Sequence, residues 1–268
     1  MASTNQIMDA SDHARTVRQS FSRQTRLFTD RDAVFAAREP AVPWLEPLHP
    51  DMIILDVACG AGHIAELAAP RVRQVVGLDV TTELLRIAST RLRDAGVANV
   101  LLQEGDAARL PFLDASFDLV YCQAALHHFP DPRPYVAEMA RVCRPGGRVV
   151  VSDMVAPSPR LRGPFDDLHR RIDPSHAATL LDTEITALLR ATVGPLTGDP
   201  ARRRSTLPID RILTPVADRE AVFAALRAEL AGGPTTGFAP TEQDGQILIG
   251  ITTVAVTATP AGLSPTHH

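Results

Sequence analysis

The sequence predicts an α/β fold built on a doubly wound open sheet, and three observations agree on it. Short apolar runs such as Met52 to Val57 and Phe117 to Cys122 alternate with longer amphipathic runs from Met52 to Asp153, as expected of buried parallel strands joined by helices. The connections are short, which suits a sheet wound on both faces. The first apolar run ends in an acid and a tight small-residue loop, Leu55-Asp56-Val57-Ala58-Cys59-Gly60-Ala61-Gly62-His63, that leads straight into a helix.

Taken in order, Ser11 and Asp12 cap a helical run through Arg26, and a second run spans Asp30 to Arg38. Pro40, Pro43, Pro47 and Pro50 then prevent a long helix, while Trp44, Leu45 and Leu48 offer apolar contacts. Residues 1–50 therefore read as an N-terminal helical lead-in. Strands follow at Met52 to Val57, Gln74 to Leu78, Val100 to Gln103, Phe117 to Cys122 and Gly147 to Ser152, with helices starting near Gly62, Thr81 and Pro132; this is the 51–154 core. Beyond Asp153, Pro157, Pro159 and Pro164 punctuate a helical run through Ala177, and a second helix covers Asp182 to Thr192. Leu207 to Leu213 reads as a strand, Asp218 to Leu230 as a helix, and Gln246 to Ala258, rich in Ile, Val and Thr, as a long strand. Residues 155–258 are thus a lid or substrate segment with completing strands, and 259–268 a disordered tail.

A chain of 268 residues, 45% of them hydrophobic, can bury one sizeable core, so one catalytic unit is expected. With 27 Lys and Arg against 31 Asp and Glu, a net charge of -4 gives no electrostatic reason to bind nucleic acid or an anionic membrane. A small-molecule partner fits better. Cys59, Cys122 and Cys143 are too widely spaced for a metal knuckle and too few and odd for a disulfide framework, and no metal site is expected. The first residues lack a signal-peptide pattern and no run of about 18 apolar residues occurs, so a cytoplasmic protein without a membrane span is expected. The sequence leaves the oligomeric state open, a homodimer being compatible.

In the loop after the first strand, Gly60 and Gly62 let the backbone approach a ligand and adopt positive φ, and the helix start at His63 offers free N–H groups. By itself this loop suits NAD as well as other nucleotides. Asp79, closing the second strand, can accept both hydroxyls of a ribose. Asp106, in Glu104-Gly105-Asp106-Ala107 after the third strand, adds an acceptor for an exocyclic amine where an adenine would lie.

With these motifs the chain closely resembles the class I S-adenosylmethionine-dependent methyltransferases, in the branch of the ubiquinone and menaquinone biosynthesis enzymes. The likeness covers about Ile53 to Asp153 and includes Ser116-Phe117-Asp118-Leu119-Val120, Leu126-His127-His128-Phe129 and Arg144-Pro145-Gly146-Gly147. It implies a Rossmann-like sheet of seven strands whose last is antiparallel, a place that Gln246 to Ala258 suits. It also implies S-adenosylmethionine as cofactor and S-adenosylhomocysteine as product. Carried over, Asp56, Gly60 and Gly62 would hold the methionine end with Ala58 in the same loop, Asp79 and the following Val80 the ribose, Asp106 and Ala107 the adenine, and Gln123 would lie beside the methionine moiety. Ala58 stands where the family usually has glycine, which should trim the loop's freedom without abolishing binding.

Methyl transfer is an in-line displacement for which the protein mainly positions donor and acceptor. Where the acceptor needs a base, histidine is the usual choice, and His127, His128, His169 and His176 are the candidates, His176 first and His128 second. Arg202-Arg203-Arg204, with Arg160, Arg162, Arg170 and Arg171, could steer an acidic substrate or simply form a solvated face. Phe21, Phe28, Phe165 and Phe238 could pack against a planar acceptor. A dehydrogenase is the rival within the fold, and Asp106 argues against it. The place after the fourth strand reads Gln123-Ala124-Ala125-Leu126, without the Pro-Pro-aromatic clamp of families that methylate nucleic acids or protein glutamines. A protein that keeps the cofactor without transferring methyl, as a cyclase or binding partner, remains the alternative.

Overall fold

The structure is a computed structural model, and it describes residues 43–260. The two helical runs expected before Arg38, and Phe21 and Phe28 with them, lie outside the described residues, as do residues 261–268. Five parallel strands form the centre: β1 (Ile53–Val57), β2 (Gln74–Asp79), β3 (Val100–Glu104), β4 (Phe117–Gln123) and β5 (Cys143–Met154). Three more complete an eight-stranded sheet: β6 (Ala201–Pro208), β7 (Thr241–Gln243) and β8 (Gln246–Ala258). The order is β3-β2-β1-β4-β5-β8-β6, with the three-residue β7 also on β8. β8 runs antiparallel to β5, β6 and β7. The expected seven-strand Rossmann-like sheet with its antiparallel last strand is therefore present, and β7 is an addition to it.

The sheet is buried on both faces because its central strands are apolar at successive positions. In β1, Leu55 and Val57 join one core cluster, while Ile54 joins another on the opposite face. The same alternation sends Val120 and Cys122 of β4 one way and Leu119 and Tyr121 the other. Helices α1 (His63–Ala68), α2 (Thr82–Asp94), α3 (Arg133–Val142), α4 (Arg162–Ile172), α5 (Asp182–Thr192) and α6 (Arg219–Leu230) connect and cover the strands. Val136 and Met139 of α3 and Ile185 and Leu189 of α5 close the first cluster. Leu45 and Leu48 pack into the second. None of these helices is long and apolar enough to cross a membrane.

Three details correct the sequence reading. β6 occupies Ala201–Pro208, whereas Ile209–Arg211 form a single 3-10 turn, so the strand expected over 207–213 begins six residues earlier. Its three arginines belong to a strand that, among the described residues, pairs only with β8, an edge place where charge is tolerated and Pro208 can end the pairing. β5 starts at Cys143, upstream of the expected Gly147; a side chain at Gly147 would lie 2.8 Å from the Asp118 carbonyl oxygen, so only glycine passes there. Phe165 and Phe238 are fully buried, stacked on each other at 4.3 Å between ring centroids, in a third core cluster with Leu168, Ile172 and Ile249. They fill the core of the lid segment and do not line the cavity described next.

Candidate functional site

A cavity of about 710 Å³ opens at the carboxyl ends of the parallel strands, where the strand order reverses between β2 and β4 on either side of β1 and where open α/β sheets place their ligands. Asp56, Ala58, Gly60, Asp79, Val80, Asp106, Ala107 and Gln123, all singled out from sequence, line it. Gly62 does not. Its φ of +75 and a built side chain 3.0 Å from Ala88 Cβ explain the glycine instead: the loop turns there and α1 packs tightly on α2.

The loop between β1 and α1 is held in a left-handed conformation at three places, Ala58 (φ +57), Gly60 (φ +53) and Gly62 (φ +75). Gly60 is open to space, since nothing lies within 4 Å of a built side chain. Its amide donates to Asp79 Oδ2 at 2.8 Å, and the amide of Thr81 donates to Asp79 Oδ1 at 2.8 Å. One bond on each oxygen leaves further lone pairs on both, which is what a ribose diol requires. Burial raises the Asp79 pKa, against the opposing pull of the Thr81 and Gly60 amides.

Asp56 is buried and its Oδ2 has no hydrogen-bond partner in the structure. Burial pushes its pKa up to about 8, the Tyr121 hydroxyl working against the rise and the charge of Asp79 adding to it. An unsatisfied buried carboxyl of this kind is suited to a cationic or N–H-bearing ligand group. Farther along, Asp106 accepts the amide of Ala108 through Oδ1 at 2.8 Å, leaving Oδ2 for a donor such as an exocyclic amine, and Ala107 is buried beside it. The residues present thus fit the nucleoside and amino-acid ends of the cofactor that the sequence resemblance implies.

The far end of the cavity is built differently. His127, His128 and His169 line it, together with Asp153 and Asp173. Its wall is formed by β6 and β8 through Leu207, Ile251 and Ala255, with Arg202, Arg203 and Arg211 along the same side. His127 lies 2.7 Å from Asp153 through Nδ1. Although burial lowers the His127 pKa, the charge and hydrogen bond of Asp153 outweigh it and the net direction is up. His128 Nδ1 faces two acceptors at 3.1 Å, the Ser175 carbonyl and the Ser175 hydroxyl oxygen, whose own proton is committed to Asp173 Oδ1 at 2.7 Å. That geometry assigns the His128 proton to Nδ1 and leaves Nε2 as its basic nitrogen. Burial, then the neighbouring His127 charge, lowers its pKa to about 3.

His176 is buried but not on the cavity wall. It stands behind His127 and His169, its ring stacked on His169 at 4.2 Å and its Nε2 on Asp166 Oδ1 at 2.8 Å. Burial lowers the His169 pKa well below its usual value, the His176 charge adding to the effect. Of the two histidines placed first by sequence, only His128 reaches the cavity. Asp153, Asp166 and Asp173 anchor the rings of His127, His176 and, through Ser175, His128. Asp166 and Asp173 fall in the stretch from Asp166 to His176 whose sequence suggests the acceptor wall, whereas Asp153 was not singled out, its signal being its place near a strand end, like that of Asp79. The three cysteines are buried and unpaired, and burial raises each thiol pKa, which disfavours the thiolate that nucleophilic work needs.

Residues 55–151 match the family model described as a methyltransferase domain. The chain is 40% identical over 139 residues to an uncharacterized methyltransferase, YcgJ, of Bacillus subtilis, covering 52% of this chain and 55% of that protein. It is 41% identical over 118 residues to a demethylmenaquinone methyltransferase of Deinococcus radiodurans, covering 43% of this chain and 48% of that protein. The match therefore spans about half the length of these curated relatives. A crystal structure of the Bacillus YcgJ protein superposes with a TM-score of 0.70 at 29% identity, covering 81% of this chain and 95% of that one.

Proposed function

We propose, for a chain whose residues 55–151 match the methyltransferase-domain family, that it binds S-adenosylmethionine and methylates a small organic acceptor. The acceptor class is a phenol, quinone or polyketide-like compound, methylated on oxygen or carbon, and the second product is S-adenosylhomocysteine. The observation that carries this reading is the Asp79 carboxylate. Tied by one amide on each oxygen to the loops after β1 and β2, it is pre-oriented toward a ribose, and pre-orientation removes ordering cost from binding.

Bound there, the cofactor supplies a methyl carbon activated by its sulfonium. Asp106 and Ala107 would hold the adenine, Asp79 and Val80 the ribose, and Asp56, Ala58, Gly60 and Gln123 the methionine end, with Gly62 fixing the turn. The chain's own contribution is alignment of donor and acceptor. The apolar side chains of Leu207, Ile251 and Ala255 on β6 and β8 hold the acceptor's body. His128, through Nε2, accepts the hydrogen bond of an acceptor hydroxyl. Held neutral by burial, with its pKa lowered to about 3, it would orient that hydroxyl toward the methyl donor, and the proton would pass on to solvent as the oxygen is methylated. His176, set behind the wall, serves as a positioning residue for His169.

Calorimetry with S-adenosylmethionine and S-adenosylhomocysteine tests the reading. Micromolar-range binding, weakened at least about tenfold by Asp79→Ala through loss of charge-assisted hydrogen bonds, supports it and justifies screening phenols and quinols. Binding of neither ligand overturns it. Cofactor that binds but is never consumed with any acceptor favours the non-transferring alternative.

A further inference from the structure

We propose that His127, His169 and His176 form a binding site for one divalent transition-metal ion, zinc or a first-row neighbour, at the acceptor end of the cavity. Each of these buried imidazoles offers a nitrogen, and the three donor atoms lie within 4.8 Å of one another. The rings come from three separate places, the turn after β4, the helix α4 and the loop that follows it, yet their centroids are 5.8, 5.7 and 4.2 Å apart.

Two further observations point to a ligand. Nδ1 of His169 and Nδ1 of His176 are buried without a hydrogen-bond partner, which is costly unless another group supplies the missing interaction. Two of the rings are also gripped from behind by carboxylates, His127 through Nδ1 on Asp153 at 2.7 Å and His176 through Nε2 on Asp166 at 2.8 Å. Metal-ligating histidines characteristically donate their other N–H in this way, which fixes tautomer and ring orientation. The ligating atoms are then Nε2 of His127 and Nδ1 of His176, with His169 completing the set. One histidine on one carboxylate is ordinary core chemistry; three converging rings with two such anchors and two orphaned nitrogens are not.

The donor set also selects the ion. Imidazole nitrogens suit zinc, copper, iron and nickel, whereas magnesium and calcium demand oxygen ligands. Asp153 and Asp166, each bonded to a ligand ring, balance the two charges of the ion in a buried place. Bonds of about 2.0–2.1 Å to a tetrahedral ion bring nitrogens to about 3.4 Å from one another, so binding draws the rings inward from their present spacing. Three protein ligands leave a fourth position, and it faces the cavity, because His127 and His169 line it. That position takes an oxygen donor such as a phenolate, enolate or carboxylate. The assignment of this donor to the methyl acceptor rests on the methyl-transfer reading; the metal site does not.

The test uses the chain without an added histidine tag, stripped with a chelator and titrated with Co2+ and Zn2+. Calorimetry should give one equivalent, and the visible absorption of Co2+ should become that of a four- or five-coordinate ion, reversed by Zn2+. His169→Gln and His176→Gln should abolish the signal, and Asp166→Asn, which keeps shape and a hydrogen bond, should weaken affinity by about 10- to 100-fold. Circular dichroism checks each variant's fold; should a histidine variant fail to fold, Asp166→Asn and a rise in the native chain's Tm on adding Zn2+ decide. A Co2+ spectrum that stays that of the hydrated ion, or binding that is unaltered in Asp166→Asn, overturns the proposal. The same samples titrated with S-adenosylhomocysteine separate the two readings. Metal binding without cofactor binding leaves this site and removes the methyl-transfer reading, and cofactor binding without metal does the reverse.

Discussion

The amide of Gly60 donates to Asp79 Oδ2 at 2.8 Å, so the acid ending β2 holds the glycine loop that follows β1. Asp79, proposed as a ribose ligand, is thus also a brace for the loop. Asp79→Asn keeps one oxygen acceptor and loses the other, leaving a buried amide N–H of the backbone unmatched, and should cost about 1–3 kcal/mol of stability. Urea unfolding with an unchanged m-value checks it; a variant as stable as the native chain would contradict the bracing role.

Ala58 holds a φ of +57, a region that costs an alanine about 1–2 kcal/mol. Ala58→Gly removes that strain and adds unfolded-chain entropy worth about 0.4–1 kcal/mol. The two nearly cancel, so Tm should stay or rise by a few degrees with cofactor affinity retained, while the β-branched Ala58→Val should destabilise clearly. Thermal melts of the two variants distinguish this from a loop indifferent to its backbone angle.

Asp56, its pKa pushed up to about 8 by burial, keeps its proton in the folded chain at pH values where the unfolded chain, with a carboxyl near about 3.9, has lost it. Its contribution to stability is therefore greatest below about pH 4 and falls as pH rises toward about 8. Asp56→Asn abolishes this dependence, so the variant's Tm should gain on the native one between about pH 5 and pH 8. Binding of a cationic cofactor group beside Asp56 should also release a proton near pH 7, seen as a binding enthalpy that varies with the buffer's ionisation enthalpy.

Phe165 and Phe238 stack in the lid core at 4.3 Å. Phe165→Ala or Phe238→Ala should cost about 3–5 kcal/mol of stability, with acceptor KM unchanged at temperatures where the fold persists. A selective rise in KM without loss of stability would place them against the acceptor after all.

The core was legible because its physics is local. The strands β1 to β4 are apolar runs within one or two residues of their observed bounds, and α5 and β8 match theirs, since Ile, Val and Thr at close intervals fit only a strand. Asp79 and Asp106 were found from their places at strand ends, and Asp56 through the family resemblance. The lid was harder. A stacked core pair and an acceptor clamp look identical in sequence, so Phe165 and Phe238 were misplaced, and the arginines of β6 hid a strand whose pairing with β8 is visible only in three dimensions. The meeting of His127, His169 and His176 is long-range, and no spacing announces it.

Arg202, Arg203 and Arg204 occupy the outer strand of the sheet. If two copies of the chain were to extend their sheets by joining β6 to β6 antiparallel, these guanidinium groups would stand opposite one another, a repulsive register. The arginine run therefore disfavours that pairing.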